Sequence, residues 1–255
     1  MQRSTIFRLS IFLLCLLHCI CMHAEENFLL VDAANSIVSE MGSHIDERLT
    51  PASTFKIALS LMGYDAHILQ DTQAPVWDYK EGYDDFLEPW KGSHTPLSWM
   101  TYSCVWYSKL LALELGLEKM QSYLAMFEYG NRDLSGGLPP PGPEDPAWIS
   151  SSLKISLREQ VAFLQKLLHR TLPVTSHAVE MTRALLFKEE LPNGWRLYGK
   201  IGTSINVGVR WFVGWVEKDK AFYPFAYNIC ETEIHFGRTI PRVKQLIIES
   251  NIIQK

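Results

Sequence analysis

The sequence has no surplus of basic residues: 24 Lys and Arg stand against 28 Asp and Glu, for a formal net charge of −4. Without a basic patch or stripe there is no electrostatic case for a nucleic-acid partner. Cysteine is scarce. Of five, Cys15, Cys19 and Cys21 lie before residue 25, which leaves only Cys104 and Cys230. Two cysteines do not make a disulfide framework, and both sit in apolar stretches that read as sites for buried free thiols. The histidines beyond residue 24 show neither H-x-H nor H-x-x-x-H spacing, so no metal site is expected. No later apolar run approaches the length of a membrane span. Internal repeats and low-complexity tracts are absent too. What remains is a globular composition, 47% hydrophobic and 20% charged, in a chain long enough for a sizeable core.

Residues 1–24 read as a removed targeting leader, with Arg3 and Arg8 ahead of an apolar stretch from Ile11 to Ile20 and Ala24 beside the cut. Export to a secreted or periplasmic location is therefore expected, with no membrane attachment once the leader is gone. Asn27 to Asp32 reads as a strand. Residues 64–95 lack a period and read as surface loops with short helices. Helices are expected from Leu97 to Leu117, closing at Gly116, then from Leu117 to Phe127. Residues 132–147, with Gly136-Gly137 and Pro139-Pro140-Pro141-Gly142-Pro143, form a loop. An amphipathic helix follows from Ile155 to His169, opened by a capping box of Ser156 and Glu159, and another from His177 to Phe187. Trp195–Lys200, Arg210–Val216 and Phe222–Ile229 are three strand-like runs of an antiparallel meander, and Arg242–Ile253 is a closing helix. Strands at both ends with helices between them imply an α+β fold: a sheet domain from 25–62 and 190–255, a helical domain from 63–189, and a site in the cleft between.

Chemistry concentrates first at Pro51-Ala52-Ser53-Thr54-Phe55-Lys56. Pro51 suits the entry to a helix, and the apolar run Ile57–Met62 reads as its buried body, bounded by Gly63. Ser53 and Lys56 then share a face, at an end where free backbone N–H groups favour negative charge. A serine needs a base to become a nucleophile, and a lysine becomes one when desolvation lowers its pKa. The plainer reading of an isolated S-x-x-K is a helix-capping serine with a lysine one turn on.

Further motifs follow in order: Ser103-Cys104-Val105, Tyr129-Gly130-Asn131, Trp148, Lys200-Ile201-Gly202 and Trp211-Phe212-Val213-Gly214-Trp215. From about residue 27 to the end, this series resembles the class D serine β-lactamases. The resemblance implies a β-lactamase and penicillin-binding-protein-like fold, with an antiparallel sheet flanked by helices plus an all-helical domain. The implied reaction is β-lactam hydrolysis through an acyl-enzyme on Ser53. Lys56 would be the base, carrying a CO2-derived carbamate, with no other cofactor. Trp148 would donate its indole N–H to that carbamate. Ser103 would relay a proton towards the leaving nitrogen, with Lys200 beside it keeping the site positive. The backbone N–H groups of Ser53 and Thr203 would form the oxyanion hole, and Val105, Ile201, Gly202 and Arg238 would bind substrate. The implied partner is a small-molecule β-lactam, and the protein a monomer or homodimer.

Each of these residues has a plainer reading: Ser103 as a helix cap, Trp148 as core packing, Arg238 as a solvated charge, and Gly130 as a left-handed helix stop. Two departures from the family pattern stand out. Ile201 replaces a hydroxyl residue, and the loop before Trp148 is unusually rich in proline. A side chain at 201 faces as Gly199 does in a regular strand, opposite Lys200, and only a bulge would aim it elsewhere. Two alternatives remain open, a penicillin-binding sensor that acylates without turnover and a degenerate binding protein.

Overall fold

The computed structural model describes residues 25–231 and 235–254, so the expected leader lies outside the described residues. The first strand, β1 (Glu25–Val31), and the last, β8 (Ala221–Cys230), pair antiparallel, although nearly two hundred residues of chain separate them. Between them in the chain come β2 (Ile37–Met41), α1 (Lys56–Asp65), β3 (Trp77–Asp78), β4 (Ser93–His94), α2 (Pro96–Tyr102), α3 (Val105–Leu115), α4 (Leu117–Phe127), α5 (Leu157–Leu168), α6 (Ser176–Leu186), β5 (Phe187–Glu190), β6 (Arg196–Ser204) and β7 (Val209–Lys218). Helix α7 (Thr239–Glu249) closes the fold. The main sheet has the order β2-β1-β8-β7-β6-β5, antiparallel throughout, and β3 and β4 form a separate two-stranded ribbon.

Both faces of the sheet are covered, which is why its strands read as near-continuous apolar runs rather than alternating ones. Phe28, Leu30, Leu197, Phe212 and Phe225 pack on one face with Val243, Leu246 and Ile247 of α7. Leu29, Val31, Tyr198, Trp211, Val213 and Trp215 point to the other face and join the large core of the helices. Helix α5 lies on that second face against β8, β1 and β7. It falls within the segment expected to be helical, yet it roofs the sheet. Its start carries the reciprocal capping box, Glu159 N–H donating to Ser156 Oγ at 3.2 Å and Ser156 N–H to Glu159 Oε2 at 3.0 Å. Among the described residues no helix is long and apolar enough to cross a membrane.

Several local expectations differ from the structure. The helix expected over Leu97–Leu117 is two helices. Thr95 caps α2 with Pro96 in its first turn, and Ser103 ends it in a left-handed conformation (φ 59°, ψ 32°) before α3 begins. Helix α1 runs through Gly63 to Asp65, because Gly63 leaves room for Leu69 and Leu111 rather than ending the helix. The left-handed stop of α4 is Glu128 (φ 53°). Gly130 (φ 52°) serves a different need, since a Cβ there would meet the Lys154 carbonyl oxygen at 2.1 Å. The strands β2, β3, β4 and β5 are short and lack a clear alternation, so periodicity does not find them.

Candidate active site

The site forms where a turn abuts a strand. Residues Ala52–Phe55 make a 3-10 turn leading into α1, with Ala52 at φ 48°, a conformation costly for a residue with a Cβ. The turn packs against β6 so closely that a Cβ on Gly202 would lie 2.7 Å from the Pro51 oxygen and 2.9 Å from the Thr54 nitrogen. Backbone therefore touches backbone, and Ser53 stands beside the Lys200-Ile201-Gly202-Thr203 segment.

Ser53 Oγ and Lys56 Nζ lie 3.1 Å apart, hydrogen-bonded and buried. Lys56 is 1% exposed. Burial without a paired carboxylate pulls its pKa down to about 8, partly opposed by Cys104 and Asp84. Phe55 meets Tyr129 edge to face and Trp148 at a tilt, with ring centroids 5.5 and 5.3 Å away, and these buried rings supply an apolar wall. The Trp148 Nε1 donor is buried and has no hydrogen-bond partner among the described residues. An orphaned donor on a ring packed against Phe55, the residue before a desolvated amine, fits a small anion carried on Lys56.

Lys200 reaches across the cleft, and its Nζ donates to Ser103 Oγ at 2.9 Å and to the Ile201 oxygen at 2.9 Å. Its pKa falls well below the usual lysine range, through burial first and then through the positive charges of Lys56 and Lys188. The break between α2 and α3 makes this contact possible, because the left-handed Ser103 sits at the turn and not inside a continuous helix.

The open space here is a cleft of about 1120 Å³. Ser53, Ser103, Val105, Lys200, Ile201 and Thr203 line it. Lys56 and Trp148 lie buried behind Ser53, and Gly202 forms the seam with the turn. Arg238 is not brought in. It sits exposed at the start of α7 and is not part of the cleft wall. Ile201 borders the cleft but packs its side chain on the apolar cluster of the α7 face, with Ile240.

Two residues that the sequence does not single out complete the picture. Thr50 donates its hydroxyl to the Trp148 oxygen at 2.9 Å and accepts from the Ser150 N–H at 3.2 Å, while its own carbonyl accepts from Trp211 Nε1 at 2.9 Å. It thereby ties the loop carrying Trp148 to the sheet and to the Ser53 turn. Lys188 lines the cleft from β5; that strand is too short and irregular to be seen in the sequence. The proline-rich loop is anchored by Lys109, 1% exposed, whose Nζ donates to Asp84 Oδ1 at 2.8 Å and to the Gly142 oxygen at 2.6 Å.

Known proteins resemble this chain over most of its length. Residues 28–242 match the penicillin binding protein transpeptidase domain. The β-lactamase OXA-1 of Escherichia coli is 38% identical over 195 residues, which span 76% of this chain and 70% of that protein. The crystal structure of the OXA-427 class D β-lactamase superposes with a TM-score of 0.81 at 38% identity, covering 88% of this chain and 97% of that one. A class D β-lactamase structure from Bacillus subtilis gives a TM-score of 0.76 at 30% identity, covering 89% of this chain and 90% of that one. With that breadth of likeness in sequence and in fold, the chain belongs to the class D β-lactamases.

Proposed function

We propose that this enzyme hydrolyses β-lactam antibiotics through an acyl-enzyme on Ser53. The observation that carries the reading is the buried Ser53–Lys56 pair, 3.1 Å apart, with the amine pKa lowered to about 8 inside a cleft. Lys56 takes the Ser53 proton as Oγ attacks the lactam carbonyl. The backbone N–H groups of Ser53 and Thr203 receive the charge that develops on the carbonyl oxygen. Ser103, held by Lys200, relays the proton taken from Ser53 on to the lactam nitrogen as the C–N bond breaks, which leaves Lys56 unprotonated again. Water then cleaves the ester: Lys56, again unprotonated, accepts the proton of the attacking water and returns it to Ser53 Oγ as that oxygen leaves the acyl carbon.

Lys56 and Trp148 are suited to hold a CO2-derived carbamate, the first as the desolvated amine and the second through its orphaned N–H. When present, that group supplies an anionic base at a position where a protonated lysine has none to offer. Val105 shapes the substrate surface, and Gly202 lets the Ser53 turn close on β6 beside it. Export through residues 1–24 to a secreted or periplasmic site belongs to the same reading.

Intact-mass spectrometry with a penicillin is the direct test. The wild-type chain gains one drug mass, and Ser53→Ala gains none. Repeated turnover of a chromogenic cephalosporin accompanies it, while a single burst would instead mark a penicillin-binding sensor. An adduct surviving in Ser53→Ala would overturn the assignment.

A further inference from the structure

The β5–β6 pairing contains a register shift. Phe187 faces Tyr198 and Glu189 faces Leu197, which leaves Lys188 as an extra residue in the ladder. Such bulges re-aim a side chain. Phe187 packs on Tyr198 at 5.5 Å, on the face of the sheet opposite α7. Glu189 turns to the other side, where its carboxylate takes the Lys244 amine of α7 at 2.8 Å. Lys188 is half-buried and joins the cleft wall with Lys200 and Ser53.

The charges around it are already committed, and Lys188 is not. Lys200 is hydrogen-bonded to Ser103 and Lys56 to Ser53. Arg210 is buried against Glu231 at 3.0 Å, and Arg183 pairs with Glu217 at 2.6 Å. Arg238 lies outside the cleft wall. Among the described residues no carboxylate pairs with Lys188, and burial lowers its pKa. A half-buried amine aimed into a cleft without a counter-ion calls for an anion from the ligand.

We infer that Lys188 is the cation that holds the carboxylate of the bound β-lactam, in the place left by Ile201, which offers no hydroxyl, and by Arg238, which stands outside. This rests on the reading of the cleft as a β-lactam site. Lys188 is a specificity-determining residue here, and the reaction centre works without it. The bulge also explains why the position is invisible in the sequence, since the extra residue belongs to no alternating pattern.

The test compares a penicillin with its own methyl ester in the wild type, Lys188→Met, Lys188→Arg and Arg238→Ala. In Lys188→Met, KM for the free acid rises by about tenfold, as expected for a lost charge-assisted hydrogen bond, with kcat within about twofold. The ester changes by less than about twofold in either constant. Lys188→Arg restores most of the affinity for the acid. Equal losses on acid and ester overturn the proposal, as does a fall in kcat alone, which would mean that Lys188 acts through Lys200. An acid-specific loss in Arg238→Ala with none in Lys188→Met also overturns it. If the methionine variant melts early, Lys188→Gln carries the same comparison. A wild-type chain that neither turns over the penicillin nor gains its mass would sink the underlying β-lactamase reading, and the proposal with it. Acylation at Ser53 without acid–ester discrimination would sink the proposal alone.

Discussion

Replacing Lys56 with methionine should abolish activity and make the protein more stable. The amine is lowered from 10.5 to about 8, with burial as the leading cause. At about 1.36 kcal/mol per pKa unit, the protonated form costs the fold about 3 kcal/mol. Methionine has a similar shape and no charge. It forfeits the 3.1 Å hydrogen bond to Ser53, worth about 1 kcal/mol. The net gain for Lys56→Met at pH 7 is then about 2 kcal/mol.

The pH dependence is specific. Between about 8 and 10.5 the unfolded chain holds a proton on Lys56 that the folded chain has lost, so wild-type stability climbs with pH there. The variant's advantage is therefore flat below pH 8 and vanishes as pH rises through that window. The assay is urea denaturation of both proteins in CO2-depleted buffer across pH 6–10. Bicarbonate adds a second readout. Wild-type stability rises by about 1.4 kcal/mol at a bicarbonate level tenfold above its dissociation constant, while Lys56→Met does not respond. A variant less stable than wild type at pH 7, or an equal bicarbonate response in the two proteins, would refute the reasoning. The outcome would also place this site among those where function is held at a cost in stability.

Three further outcomes are expected. Trp148→Phe removes an N–H that has no partner, and with it part of a fully buried indole; its activity should need more bicarbonate, while in CO2-depleted buffer it loses about 1–3 kcal/mol to the space left behind and nothing to a lost hydrogen bond. Thr50→Val severs the contacts to Trp148 and Ser150; a loss of about 1–3 kcal/mol in denaturant melts is expected, with a raised bicarbonate requirement because the Trp148 loop is loosened. Ile201→Thr should leave kcat/KM for a penicillin within about threefold of wild type and cost about 1 kcal/mol of stability, since the side chain packs on the α7 face. A gain of tenfold or more would show that residue 201 addresses the substrate.

Much of the fold was legible because the chain states it locally. Ser156 and Glu159 mark the start of α5, and the apolar runs around Trp211 and Phe225 are long enough to be read as sheet. Ser53, Lys56, Ser103 and Lys200 were found as types at fitting spacings, and the structure sets them within hydrogen-bonding reach in two pairs. What escaped the sequence depends on tertiary context. Ser103 breaks a helix that Leu97–Leu117 would otherwise continue, because the break serves Lys200 on another element. Lys188 follows a helix with no strand period ahead of it, and the bulge that aims it exists only through pairing with β6. Thr50 looks like any residue before a proline until its three partners, drawn from two distant stretches, are seen together.

The seam at Gly202 has a consequence for how such a cleft can diversify. The spacing between the Ser53 turn and β6 leaves no room for a side chain at Gly202, where the Pro51 oxygen, the Thr54 nitrogen and the Thr54 methyl close the gap. Gly202 works as a gauge block of zero thickness. The interval between the Ser53 and Thr203 N–H groups, the proposed oxyanion donors, is accordingly insulated from substitutions elsewhere in the wall. Residues such as Phe86, Leu87, Ile149 and Phe236, which face the same space, are free to change which molecules enter without resetting the reaction centre. Recognition and chemistry are thus written on separate parts of the chain, and a lineage can explore one while the other stands still.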